Sequence, residues 1–188
     1  MQAASEACSS GMVSLVGAEL SQAEELAAVG AKEGICAVAN RNAPGQIVLS
    51  GELAALDAVE ASAADHGVRR AIRLSVAGGF HSECMRPAAQ RLAAALEGVS
   101  MASPNVPVIS NVTAKPVSGP EEVKALLAQQ VCSPVLWEDS VRWMISEGMT
   151  TFLEPSPGRV LSGILRKIDR DVDCVSADEP AIDEEVQR

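Results

Sequence analysis

Tyrosine is missing from this chain, and two Phe with two Trp bring the aromatic fraction to only 2%. Large rings therefore do not fill the interior, which must be packed from Ala, Val, Leu, Ile and Met. Positive charge is also short, since 15 Lys and Arg face 25 Asp and Glu for a formal charge of -10. A surface of that sign repels a phosphate backbone or an anionic bilayer, which argues against nucleic acid or membrane as partner. No apolar run reaches the roughly 20 residues of a membrane span, and no signal peptide is recognisable, so the expected location is cytoplasmic. The cysteines Cys8, Cys36, Cys84, Cys132 and Cys174 are odd in number and lack any CxxC or His-bearing spacing. They read as reduced, small hydrophobes, and no metal site is expected.

What the chain does have is a hydrophobic fraction of 47% over 188 residues, enough for one ordinary domain or two small ones. Residues 11–16 read as a strand, and Ser21-Gln22-Ala23-Glu24 reads as a capping box opening a helix to about Ala31. Strands at 35–40 and 46–50 follow. Leu53, Leu56, Val59 and Ala63 then mark a helix closed by Gly67, and 70–74 is a fourth strand. The order βαββαβ predicts a ferredoxin-like unit over residues 10–76. Beyond it, helices are expected at 85–97, 120–130, 137–147 and 160–169, with short strands at 108–110, 151–154 and 172–175. The acidic stretch 177–188 reads as a solvated, disordered tail.

The most informative stretch is Leu74-Ser75-Val76-Ala77-Gly78-Gly79-Phe80-His81-Ser82-Glu83-Cys84-Met85. It places His81 in a glycine loop between a strand and a helix, at the carboxyl end of a strand, where α/β proteins gather catalytic groups. The bland alternative is a histidine that fills a loop. Cys84 is imaginable as a nucleophile, but its thiolate would need activation by a His three residues away on the same turn. Asn40 and Asn42 sit before a Pro-Gly turn and read equally as hairpin residues. His66, beside Gly67, reads as a surface group at a helix end.

His81 does not stand alone. Upstream lies Ala39-Asn40-Arg41-Asn42-Ala43-Pro44-Gly45-Gln46-Ile47-Val48-Leu49-Ser50-Gly51. Downstream come Pro107-Val108-Ile109-Ser110-Asn111-Val112-Thr113-Ala114, then Gln129-Gln130-Val131-Cys132-Ser133-Pro134-Val135-Leu136-Trp137, then Phe152-Leu153-Glu154-Pro155-Ser156-Pro157-Gly158-Arg159-Val160. In this order and at these separations the segments resemble the malonyl-CoA:acyl carrier protein transacylase family. The resemblance implies an α/β fold in which a ferredoxin-like subdomain is inserted into an α/β-hydrolase-like one, with the active site in the cleft between them. On that plan residues 1–9 end a helix of the large subdomain, 10–76 are the small subdomain, and 77–176 are the carboxyl-terminal part of the large one.

The resemblance also implies chemistry. Acyl transfer between thioesters runs through an acyl-serine, which needs a base to take the hydroxyl proton and return it to the departing thiol. His81 matches the family's base, and the main-chain carbonyl of Gln130 matches the group that orients it. Asn40 and Asn42 match cleft asparagines, and Phe80 matches a residue that favours malonyl over methylmalonyl. The substrates implied are malonyl-CoA and the phosphopantetheine arm of acyl carrier protein, with no further cofactor. The sequence also departs from the family: no Gly-His-Ser-Leu-Gly nucleophile elbow occurs in it, nor an amino-terminal Gly-Gln-Gly. Met1-Gln2-Ala3-Ala4 resembles a Met-Gln-Glu-Ala stretch that in the family follows a carboxylate-binding arginine. The expectation is therefore a carboxyl-terminal portion of an acyltransferase, inactive by itself. Two alternatives stay open: an acyltransferase piece of a polyketide synthase, or a non-catalytic ferredoxin-like binding module.

Overall fold

A computed structural model describes residues 1–155 and 158–176. Its backbone divides into two compact units, residues 1–140 and 141–188, the second described to residue 176. The larger opens with helix α1 (Gln2–Ala7) and strand β1 (Ser10–Val16). Helix α2 (Leu20–Gly30), strands β2 (Cys36–Ala43) and β3 (Gln46–Glu52), helix α3 (Leu53–Ser62) and strand β4 (Arg70–Arg73) follow. The sheet order is β2-β3-β1-β4 with every neighbour antiparallel. Two split βαβ units thus interleave: β3 lies between β1 and β2, and β1 lies between β3 and β4.

Period-2 alternation decides the sheet's two faces. Val13, Leu15, Ile47 and Leu49 point toward α2 and α3, where Leu26, Leu56 and Val59 close a core. All of these but Ile47 are fully buried, each contributing about 1.5–3 kcal/mol. The opposite face meets the segment that follows β4. There Met12, Ala39 and Val48 are buried against Leu74 and Phe80. The β2–β3 hairpin turns at Pro44-Gly45. Proline fixes φ at the first central position, and Gly45 takes the positive φ (70°) that a type II turn requires at the second.

The capping expectation for α2 needs correcting. Helix α2 starts at Leu20 after Glu19, whose amide donates to the Gln22 side-chain oxygen at 2.8 Å, so the box lies two residues earlier than Ser21. The expected strand at 108–110 is instead one isolated bridge, Ile109 to Pro116, closed by Ser110 N–H to Lys115 O and Val117 N–H to Val108 O. Pro116 has no N–H to extend a ladder. The helix expected from residue 85 begins with a 3-10 turn at Glu83–Met85 and becomes α-helical as α4 (Arg86–Glu97). Helix α5 (Pro120–Gln130) falls where its pattern predicts, and α6 (Trp137–Ser146) crosses the boundary between the units.

In the smaller unit, β5 (Thr151–Glu154) and β6 (Asp173–Ser176) pair in parallel, joined through α7 (Val160–Ile168). Glu154 accepts hydrogen bonds from the Leu161 and Ser162 amides, both at 2.9 Å, satisfying first-turn donors of α7. Ser156 and the acidic stretch 177–188 lie outside the described residues.

Candidate functional site

Strand β2 supplies one wall. Its pairing with β3 slips between Val38 and Asn40 and again between Arg41 and Ala43, leaving Ala39 and Asn42 as extra residues. Such bulges bend a strand and re-aim its side chains. Asn40 and Asn42 consequently line one concave surface, of about 390 Å³, together with Met12, Leu74, Phe80 and His81. Four of the five residues named from the sequence are therefore neighbours around this hollow, and the fifth, Gln130, touches His81.

The loop after β4 carries the histidine. His81 adopts a left-handed φ of 58°, a conformation that costs a side chain about 1 kcal/mol or more and persists only where the surroundings impose it. Its ring is half-buried. His81 Nδ1 lies 3.0 Å from the main-chain oxygen of Gln130, at the end of α5. A carbonyl oxygen only accepts, so Nδ1 carries the proton, and Nε2 is the ring's acceptor. The Gln130 side-chain nitrogen makes a longer contact with Nδ1, 3.3 Å, and donates one of its two protons to Ser133 O at 3.0 Å. The Gln130 carbonyl also accepts from Ser133 N–H at 3.3 Å, in the turn that directly follows α5.

Sequence reasoning missed the groups that hold these walls together. Val135 docks beside β2, accepting from Arg41 N–H at 2.9 Å and donating to Ala39 O at 2.8 Å. The Arg41 guanidinium grips Asp139 through two nitrogens, at 2.9 and 3.3 Å. The stretch between the two cleft asparagines is thus tied to the segment that follows Gln130. No local pattern announces contacts 94 to 98 residues apart; only a parallel-strand reading of Ser133-Pro134-Val135 could have suggested them.

Cys84 is buried, and burial pushes its thiol up to about 11. At neutral pH it is a thiol and a poor nucleophile. His66 uses Nδ1 on Ser62 O at 2.9 Å, closing the turn after α3, and is remote from the hollow by its place in the fold. Among the described residues, no three His, Cys, Asp or Glu side chains gather to hold a metal ion. No described helix is long and apolar enough to cross a membrane.

An imidazole whose Nδ1 faces a main-chain carbonyl beside an asparagine-lined hollow is an arrangement suited to taking and returning a proton. Residues 4–179 match the acyl transferase domain family, and the chain belongs to it. It is 42% identical over 143 residues to the malonyl CoA-acyl carrier protein transacylase of Bacillus subtilis, covering 76% of this chain and 45% of that protein. A transacylase of that description from Haemophilus influenzae is 34% identical over 152 residues, 80% of this chain and 49% of the relative. Among solved structures, the malonyl-CoA:acyl carrier protein transacylase of Xanthomonas oryzae superposes with a TM-score of 0.91 at 38% identity, covering 96% of this chain and 57% of the other. The chain spans about half the length of the relatives it matches.

Proposed function

We propose that this chain provides the general base and part of the acyl-binding wall of an [acyl-carrier-protein] S-malonyltransferase, which moves malonyl from coenzyme A to acyl carrier protein by way of an acyl-serine. The observation that carries the reading is the bond from His81 Nδ1 to the Gln130 carbonyl. It leaves Nε2 basic and adds no neighbouring charge, as a base that must both take and return a proton requires. His81 Nε2 is assigned to the serine of a Gly-His-Ser-Leu-Gly elbow, which this sequence does not contain. Asn40 and Asn42 are assigned to polar contacts with the acyl group. Phe80, packed on Met12 and Val48, is assigned to selection of malonyl over its α-methyl analogue, a discrimination of about 1–3 kcal/mol.

The relatives' names support malonyl-CoA and acyl carrier protein as partners, as does a solved complex of a type II polyketide acyl carrier protein with its malonyl-transacylase, at TM-score 0.88 and 30% identity. The interleaved βαβ units support a ferredoxin-like small subdomain over 10–76, followed by part of an α/β-hydrolase-like one over 77–176, and the fold is read as cytoplasmic. The test supplies this chain in trans with a family segment bearing Gly-His-Ser-Leu-Gly and follows labelled malonyl from coenzyme A to carrier protein. Transfer that depends on both pieces is expected. Its absence, when the two pieces bind each other, overturns the assignment.

A further inference from the structure

The left-handed His81 needs a cause, and the hydrogen bonds around Gly79 provide one. Gly79 is buried, so its two main-chain polar groups must find protein partners. Its N–H donates to Ser10 Oγ at 2.8 Å, and its carbonyl accepts from Ser82 Oγ at 2.6 Å. Both partners are hydroxyls, and they come from opposite sides. Ser10 opens β1, and its own proton goes to Cys8 O at 3.0 Å, which leaves its lone pairs for the Gly79 amide. Ser82 is 1% exposed and reaches back three residues, closing a short turn whose middle is Phe80 and His81.

Close packing completes the grip. A Cβ at Gly79 would lie 3.0 Å from Ser10 Cβ and 3.2 Å from the Ser50 hydroxyl, so the loop backbone is pressed against β1 and β3. The turn therefore has little freedom to relax the positive φ of His81. Ring direction is then set at three points: Gly79 N–H on Ser10, Gly79 C=O on Ser82, and His81 Nδ1 on Gln130.

We infer that Ser10 and Ser82 are positioning residues for His81, clamping Gly79 from both sides so that the imidazole stays in the Nδ1–H form with Nε2 directed into the hollow. The inference rests on the reading of His81 as the base, but it can fail separately from it. Neither serine touches the reacting atoms; both act through the loop.

The experiment is imidazole nitrogen NMR on the 188-residue chain, labelled at its two histidines, at a pH where the rings are neutral. The unaltered chain is expected to show His81 in the Nδ1–H tautomer. Ser82→Ala and Ser10→Ala should each shift the tautomer ratio toward Nε2–H by about 3- to 10-fold, the equivalent of one ordinary hydrogen bond. Ser82→Thr, which keeps the hydroxyl, should retain the original ratio. An unchanged ratio in both alanine variants, with the amide spectrum of the β1–β4 sheet intact, overturns the clamp. If Ser82→Ala unfolds, Ser10→Ala and Ser82→Thr decide alone. In the chain complemented with the serine-bearing segment, Ser10→Ala should lower kcat about 10-fold at constant KM, in line with a misaligned base. Loss of transfer in His81→Ala without any tautomer change in the serine variants sinks the clamp only, whereas transfer that survives His81→Ala sinks the base.

Discussion

Gly51 on β3 is the position where the architecture is least forgiving. A Cβ built there would sit 2.0 Å from Ile35 O and 2.9 Å from the Cys36 Cα, both backbone atoms of the approach to β2. No side chain can swing away to relieve this. Room for Gly51→Ala requires the 35–36 backbone to retreat by an ångström or more, which removes the Glu52 N–H to Ile35 O bond of 2.8 Å and stretches the Ile35 N–H to Glu52 carboxylate bond of 2.7 Å. Overpacking of this kind costs about 1–3 kcal/mol and a lost hydrogen bond about 1 kcal/mol. The gain from restricting the unfolded chain is about 0.4–1 kcal/mol. The net expectation is a loss of about 2–3 kcal/mol. Urea unfolding followed by circular dichroism should show a midpoint lowered by about 1 M or more, given a slope of about 2 kcal/mol/M. Gly98→Ala is the control, since its Cβ meets nothing within 4 Å and its φ of -83° suits any residue. It should leave the midpoint unchanged or raise it. Equal midpoints for the two variants would refute the close-approach reasoning.

The ion pair between Arg41 and Asp139 is about one-third exposed on both sides, so a double-mutant cycle to alanine should give a coupling of only about 0.5–1 kcal/mol, shrinking at high salt. Full coupling that is insensitive to salt would contradict that. Burial pushes the Cys36 and Cys84 thiols up to about 11. Because the unfolded thiols ionise near 8.5, the folded state holds these protons longer, and stability should fall as pH rises from about 9 to 11. Replacing both by Ala should flatten that slope, and an unchanged slope would assign it to other groups. The Ser162 hydroxyl and the Leu161 and Ser162 amides hold the Glu154 carboxyl below the usual carboxylate range. This stabilisation is present above the ordinary Glu range and lost as pH falls through the lowered value. Hydrogen exchange at Leu161 and Ser162 should therefore accelerate beyond its intrinsic pH dependence in acid, and Glu154→Gln should be less pH-dependent; identical profiles would contradict the cap.

How much of this was legible depends on the range of the interaction. The strand at Thr151–Glu154 and the helix at Pro120–Gln130 fall where alternation and a proline at the first turn place them. At the start of α2 Ser21 looks like a cap, whereas the Gln22 side-chain oxygen accepts from the Glu19 N–H just before the helix. The segment near Val108 has strand composition, but Pro116 opposite it cannot donate. At the site, His81 was visible as a loop histidine, and its pairing with Gln130 came through family resemblance rather than local pattern. The two bulges that bring Asn40 and Asn42 to one surface, the Arg41–Asp139 pair, and the serines on Gly79 left no local trace. The Ser10–Gly79 and Arg41–Asp139 contacts join residues 69 and 98 apart, which the fold alone brings together, whereas the bulges and the Ser82 turn are local but carry no distinctive residue pattern.

The proposed role of His81, oriented by Gln130, is to serve as the base for acyl transfer. It is tested most directly by comparing His81→Ala with His66→Ala in this chain complemented by the serine-bearing segment, using single-turnover formation of the malonyl-enzyme. His81→Ala should slow acylation by about 10³-fold or more, as expected when a nucleophile loses its base, while His66→Ala should change it less than about 2-fold, since that ring only closes a turn on Ser62. Comparable rates in the two variants would contradict the claim.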